Sequence, residues 1–76
     1  IMKELVEFMV KSLVDNPENL VITTEEDGEV LKIFIKADEN DIGKIIGKQG
    51  KIAKAIRTIV RSSAMKLGKK VIVEIN

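Results

Sequence analysis

A tetrapeptide with glycine at both ends, Gly47-Lys48-Gln49-Gly50, divides the second half of the chain into two helical segments with only a tight turn between them. Upstream of it, Asn40 to Ile46 is long enough for about two turns. Downstream, apolar residues recur at helical spacing from Lys51 to Leu67, and Gly68 stands where a helix closes on a left-handed residue. The fold must therefore set two helices about a glycine loop, and the remainder of the 76 residues must cover them.

That remainder supplies one more helix and a sheet. Met2, Leu5, Val6, Met9, Val10 and Leu13 predict a helix over 2–15, ended because Pro17 forces Asn16 out of the helical region. Phe8 falls towards the polar side of this helix, between Glu4 and Ser12. It is expected to close the edge of the core; the alternative is an exposed anchor for another subunit. Strands are predicted over 20–25 and 29–37, separated by the turn signal Asp27-Gly28. Leu31, Ile33, Ile35 and Ala37 share one face, and Val30, Lys32, Phe34 and Lys36 share the other, expected to be partly solvated. Asp38 stands at a helix N-cap position, followed by further acids that suit the helix dipole. Val71, Val73 and Ile75 alternate in a last strand. The order is α-β-β-α-α-β, an α+β chain expected to form one domain over 1–76, with Met2, behind Ile1, as its natural start.

Most enzyme classes fit this chain poorly. It has no cysteine and no histidine, so a thiolate metal site, a cysteine nucleophile and the commonest general base are all missing. No apolar run approaches the roughly 20 residues of a membrane helix, and Lys3, Glu4 and Glu7 interrupt any leader-like start. A cytoplasmic protein without catalysis, metal or cofactor is expected.

The net charge of +1 conceals a strong polarity. Residues 1–41 carry four basic and eleven acidic side chains, a net −7, whereas residues 42–76 carry nine basic ones against Glu74 alone, a net +8. At about 100° per residue, Lys51, Lys54, Arg57 and Arg61 fall within one sector of their helix. Ile52, Ile56, Ile59, Val60 and Leu67 occupy another, expected to face the core. Lys44 and Lys48 stand at the head of the basic stripe. Such a stripe is the electrostatic footprint of a polyanion.

The glycine loop suits the same ligand. Two residues without side chains let a ligand backbone approach the main chain, and the N–H groups opening the next helix favour phosphate. A P-loop is excluded because Gly47 is followed by Lys48-Gln49 rather than Lys-Ser/Thr, and a Rossmann turn because the glycine spacing is wrong. Phe8 and Phe34 are the only aromatics, too few for a stacking sheet. An apolar groove beside the loop, lined by Ile45 or Ile46 and by aliphatic residues of the adjoining strand, fits better.

Ile46-Gly47-Lys48-Gln49-Gly50 is similar to the I-G-x-x-G motif of KH domains, whose loop clamps single-stranded nucleic acid. The element order resembles the bacterial type II KH fold, which implies a three-stranded mixed sheet covered on one face by three helices. The whole chain, with its helix Ile52-Ala53-Lys54-Ala55-Ile56-Arg57, resembles the small stand-alone bacterial KH proteins of the KhpA kind. Ala53 departs from the aliphatic residue that many KH domains place three positions after the second glycine, and Ile52 precedes it. The resemblance implies single-stranded RNA as ligand and a homodimer, or a heterodimer with a larger Jag-type KH protein. In some bacteria it also implies roles in RNA chaperoning, cell shape and cell-wall regulation. The residues expected to bind RNA are Lys44, Ile45, Ile46, Gly47, Lys48, Gln49, Gly50, Lys51, Lys54, Arg57 and Arg61. The competing expectation is a protein-interaction adaptor that pairs with another KH protein through Phe8 or the glycine-loop surface.

Overall fold

A computed structural model describes residues 2–76; Ile1, and with it the expectation about the natural start, lies outside the described residues. Helix α1 (Met2–Lys11) leads through a 3-10 turn (Pro17–Asn19) into strands β1 (Val21–Asp27) and β2 (Val30–Lys36). Helix α2 (Ile42–Ile46), a 3-10 turn (Lys48–Gly50), helix α3 (Lys51–Lys66) and strand β3 (Lys70–Ile75) follow. The sheet is mixed, in the order β1-β2-β3: β1 and β2 are antiparallel, β2 and β3 parallel. This is the α+β architecture expected for a type II KH domain.

The hairpin joining β1 to β2 turns on Gly28-Glu29, with positive φ at Gly28 alone, as in a type II′ turn. Its alternation seats Leu31, Ile33 and Ile35 in the core, and leaves Val30, Lys32 and Phe34 half-buried on the other face. Val6 and Val10 of α1 and Ile56 and Val60 of α3 close that core from the helical side.

Helix α1 is shorter than its apolar period. It stops at Lys11 instead of running to Asp15. Ser12 Oγ donates to the Phe8 carbonyl, and the backbone N–H groups of Asp15 and Asn16 donate to the carboxylate of Asp41, which draws the chain off the helical path before Pro17. Phe8 does not close the core edge: it is 72% exposed. Two isoleucine-sector expectations for α3 also fail. Ile59 and Leu67 are exposed, and Ala53 and Ala64 fill the buried positions, because α3 packs closely enough that small side chains fit against the sheet and α1. Gly68 closes α3 as expected, with its own N–H on the Met65 carbonyl and the Lys69 N–H on the Ala64 carbonyl, both at 3.0 Å. These two bonds are a Schellman motif.

Candidate nucleic-acid interface

Helix α2 is placed by a residue that sequence reasoning missed. Asp41 is fully buried, yet it does not cap its own helix. Its carboxylate accepts from Asp15 N (3.2 Å), Asn16 N (2.9 Å) and Asn16 Nδ2 (3.2 Å), which ties the end of α1 to the start of α2. Asp38, expected at the cap, instead accepts the N–H of Asn40 in a local turn. That bond, with a second from the Asn19 amide, holds the Asp38 carboxyl below the usual carboxylate range.

Lys44 is diverted by the same arrangement. Its Nζ pairs with Asp15 and lies 3.8 Å from Asp41 Oδ1, so its charge is answered within the protein rather than added to the stripe. Ile45 is sealed in the core with no exposed surface and cannot line a groove; its neighbour Ile46 is 39% exposed. Alternate sides of a helix one turn long give adjacent isoleucines opposite fates.

The loop itself is constrained at both glycines, for different reasons. Gly47 has φ 74° and ψ 177°, a region open to glycine alone. A side chain there would also meet Ile52, whose Cγ1, Cβ and Cδ1 lie 2.6, 2.8 and 2.9 Å from an added Cβ. Gly50 is left-handed (φ 73°, ψ 14°) but faces open space. Between them Lys48 and Gln49 are exposed, and Gln49 is itself left-handed at φ 57°. Helix α3 starts at Lys51 without a side-chain cap; the Gly50 and Lys51 N–H groups are taken by the Gly47 and Lys48 carbonyls, so any donors offered to a ligand come later in the first turn.

Beyond the loop the basic residues line up on α3. Lys51, Lys54 and Arg61 are exposed, whereas Arg57 is half-buried, with Nε 3.4 Å from the Val73 carbonyl. Arg57 and Arg61 form one wall of a groove whose other wall is Val71, Ile72 and Val73 of β3. Ile46 and the glycine loop are not among the residues that line it, so it is not the apolar groove expected beside the loop. Across the described residues, two cations of the basic half, Lys44 and Lys69, are paired with acids of the acidic half. The stripe residues Lys48, Lys51, Lys54, Arg57 and Arg61 have no such partner among the described residues, so the segregated charge of the sequence survives as a basic surface.

Comparison with known proteins adds an independent line. The family model described as KhpA/KhpB, KH domain, matches residues 3–75. A protein of Clostridium perfringens named RNA-binding protein KhpA is 53% identical over 97% of this chain and 99% of its own length. Its namesakes from Listeria monocytogenes and Aquifex aeolicus are 49% and 42% identical, each over 97% of this chain and over 97% and 94% of their own lengths. Among solved structures, Era in complex with MgGDPNP and nucleotides of 16S ribosomal RNA superposes with a TM-score of 0.69 at 28% identity. The match covers 97% of this chain but 28% of the Era chain.

Proposed function

The chain belongs to the KhpA/KhpB family of KH domains, and on that premise we propose that it is a non-catalytic, single-stranded RNA-binding protein acting in the cytoplasm, with residues 1–76 as one binding unit. The reading is carried by one observation above all. The strained Gly47–Gly50 loop presents Lys48 and Gln49 at the uncapped start of α3, and an exposed line of cations runs on from it. Gly47 and Gly50 let the phosphate backbone approach the main chain. Lys48 meets phosphate as a point charge and Gln49 donates beside it, while Lys51, Lys54, Arg57 and Arg61 follow the backbone onward. Ile46 offers the apolar surface against which a base rests, and Lys44 and Ile45 serve the scaffold.

No helix among the described residues is long and apolar enough to cross a membrane. The relatives named for RNA binding and the Era–ribosomal RNA complex support the choice of RNA as ligand. The family resemblance extends the reading to RNA chaperoning or post-transcriptional regulation tied to cell shape and cell-wall control. The test is a titration of labelled single-stranded RNA at several salt concentrations with the wild-type protein and the Lys48→Asp/Gln49→Asp variant. The wild type weakens steeply with salt, and the variant stays folded by circular dichroism but loses binding. A folded variant of unchanged affinity overturns the clamp.

The 72% exposure of Phe8 favours one second reading, that the protein also pairs with a copy of itself or with a larger Jag-type KH protein. Phe8→Glu is expected to shift a wild-type dimer to monomer in sedimentation. A wild type that is monomeric at every concentration removes the homodimer.

A further inference from the structure

The helices cover one face of the sheet, and the other face is open. On it β1 presents Thr23, β2 presents Lys32, Phe34 and Lys36, and β3 presents Ile72 and Glu74. Phe34 is half-buried at the centre, in register with Thr23 on the antiparallel side and with Glu74 on the parallel side. Ile72, in register with Lys32, is 47% exposed, and it also lines the groove against Arg57 and Arg61. The open face therefore begins at the rim of that groove. Neighbouring strands lie about 4.8 Å apart, so Phe34 stands one strand in from β3.

An aromatic ring flanked along its strand by two lysines is a platform for one unstacked base, with cations to meet the adjoining phosphates. Lys32 and Lys36 make no ion pair among the described residues. One ring gives one stacking position, less than a stacking sheet needs but enough for a single nucleotide. The acids Glu25 and Asp27 stand opposite Lys32 and Val30, towards the hairpin. Glu74 is placed differently. It is the one acid of residues 42–76, it is exposed and without an ion pair among the described residues, and it stands beside Phe34. A carboxylate there repels phosphate, but it accepts a hydrogen bond from the exocyclic amino group of cytosine or adenine. Uracil offers a carbonyl at the same place and is repelled.

We infer that the open sheet face carries a base-selective site, in which Phe34 stacks one nucleobase, Glu74 accepts from its amino group, and Lys32 and Lys36 meet the adjoining phosphates. The site takes cytosine or adenine in preference to uracil. The base belongs to the strand already held in the groove, which reaches Phe34 by crossing β3 at Ile72. The inference rests on the RNA-binding reading above, but it concerns a surface separate from the glycine loop and from the basic side of α3.

Octamers of cytidine and of uridine, longer than the four nucleotides a KH loop grips, are titrated against the wild type, Phe34→Leu and Glu74→Ala. Removing an acid from a polyanion site ordinarily tightens the binding of every sequence. Here Glu74→Ala is expected to bind oligocytidine severalfold more weakly, while oligouridine binds it as well as the wild type or better. Phe34→Leu keeps an apolar side chain on the face and is expected to bind oligocytidine about tenfold more weakly, the loss of one stacked base. In the wild type, oligocytidine shifts the amide resonances of Thr23, Phe34 and Ile72 together with those of the loop, a readout that depends on no variant's folding. Unchanged or tighter binding of both octamers by Glu74→Ala overturns the base contact, and an unchanged oligocytidine affinity in Phe34→Leu overturns the platform. Loop shifts without sheet-face shifts overturn the whole site and leave the clamp standing. No binding of either octamer by the wild type overturns the RNA-binding reading itself.

Discussion

The two glycines of the loop look equivalent in the sequence, but Gly47→Ala and Gly50→Ala should differ severalfold in cost. At Gly47 the backbone sits at φ 74° and ψ 177°, a region that costs an alanine about 1–3 kcal/mol. The new methyl would also stand 2.6–2.9 Å from three atoms of Ile52, an overpacking worth about 1–3 kcal/mol more. Trimming Ile52 brings little relief, since its Cβ is itself 2.8 Å away and every residue but glycine has one. Reduced freedom of the unfolded chain returns about 0.4–1 kcal/mol, so a net loss of about 3 kcal/mol is expected. At Gly50 the backbone is left-handed and an added methyl meets nothing within 4 Å, leaving a net cost of about 1 kcal/mol. A domain of this size has a total stability of only about 4–11 kcal/mol. Gly47→Ala should therefore lower the melting temperature by about 12 °C or more, against roughly 4–8 °C for Gly50→Ala. Urea unfolding followed by circular dichroism measures both. Equal losses at the two positions, or a loss below about 1 kcal/mol at Gly47, would show that the Ile52 contact does not constrain the loop.

Other substitutions probe the scaffold and the charge. Asp41→Ala strands the N–H groups of Asp15 and Asn16 and should destabilise the fold by roughly 3 kcal/mol in urea, with a smaller loss for Asp41→Asn, which keeps an acceptor. A loss no larger than that of a surface substitution would remove Asp41 as the tie between α1 and α2. In RNA titrations, Lys54→Ala should lower the slope of log affinity against log salt by about 0.7. Lys44→Ala should change the slope less, because Asp15 and Asp41 already answer its charge; equal slopes would refute that assignment. Asp38 titrates below its ordinary value of about 3.9 because the Asn40 N–H, first, and the Asn19 amide favour its ionised form. Its contribution to stability is therefore complete above that ordinary value and lost as pH falls through the lower folded one. Asp38→Asn should flatten the acid limb of the stability profile, and an unchanged limb below about pH 4 would count against the two hydrogen bonds.

Local chemistry alone accounts for much of this molecule. The order of elements, the alternation that buries Leu31, Ile33 and Ile35, the closing role of Gly68 and the line from Lys51 to Arg61 all follow from spacings within one element, where period and backbone preference act directly. The family could be read for the same reason, because its signature is a contiguous loop. What the sequence could not disclose depends on partners far along the chain. Asp41 reads as one acid among several until the N–H groups of Asp15 and Asn16, more than twenty residues earlier, turn it into a buried tie. The same fold claims Lys44 for two carboxylates, seals Ile45 while exposing Ile46, and leaves Phe8, Ile59 and Leu67 outside the core that their hydrophobicity suggested. Periodicity says which residues share a face, but only the packed helices and sheet decide how wide a stripe of that face is covered, and by what.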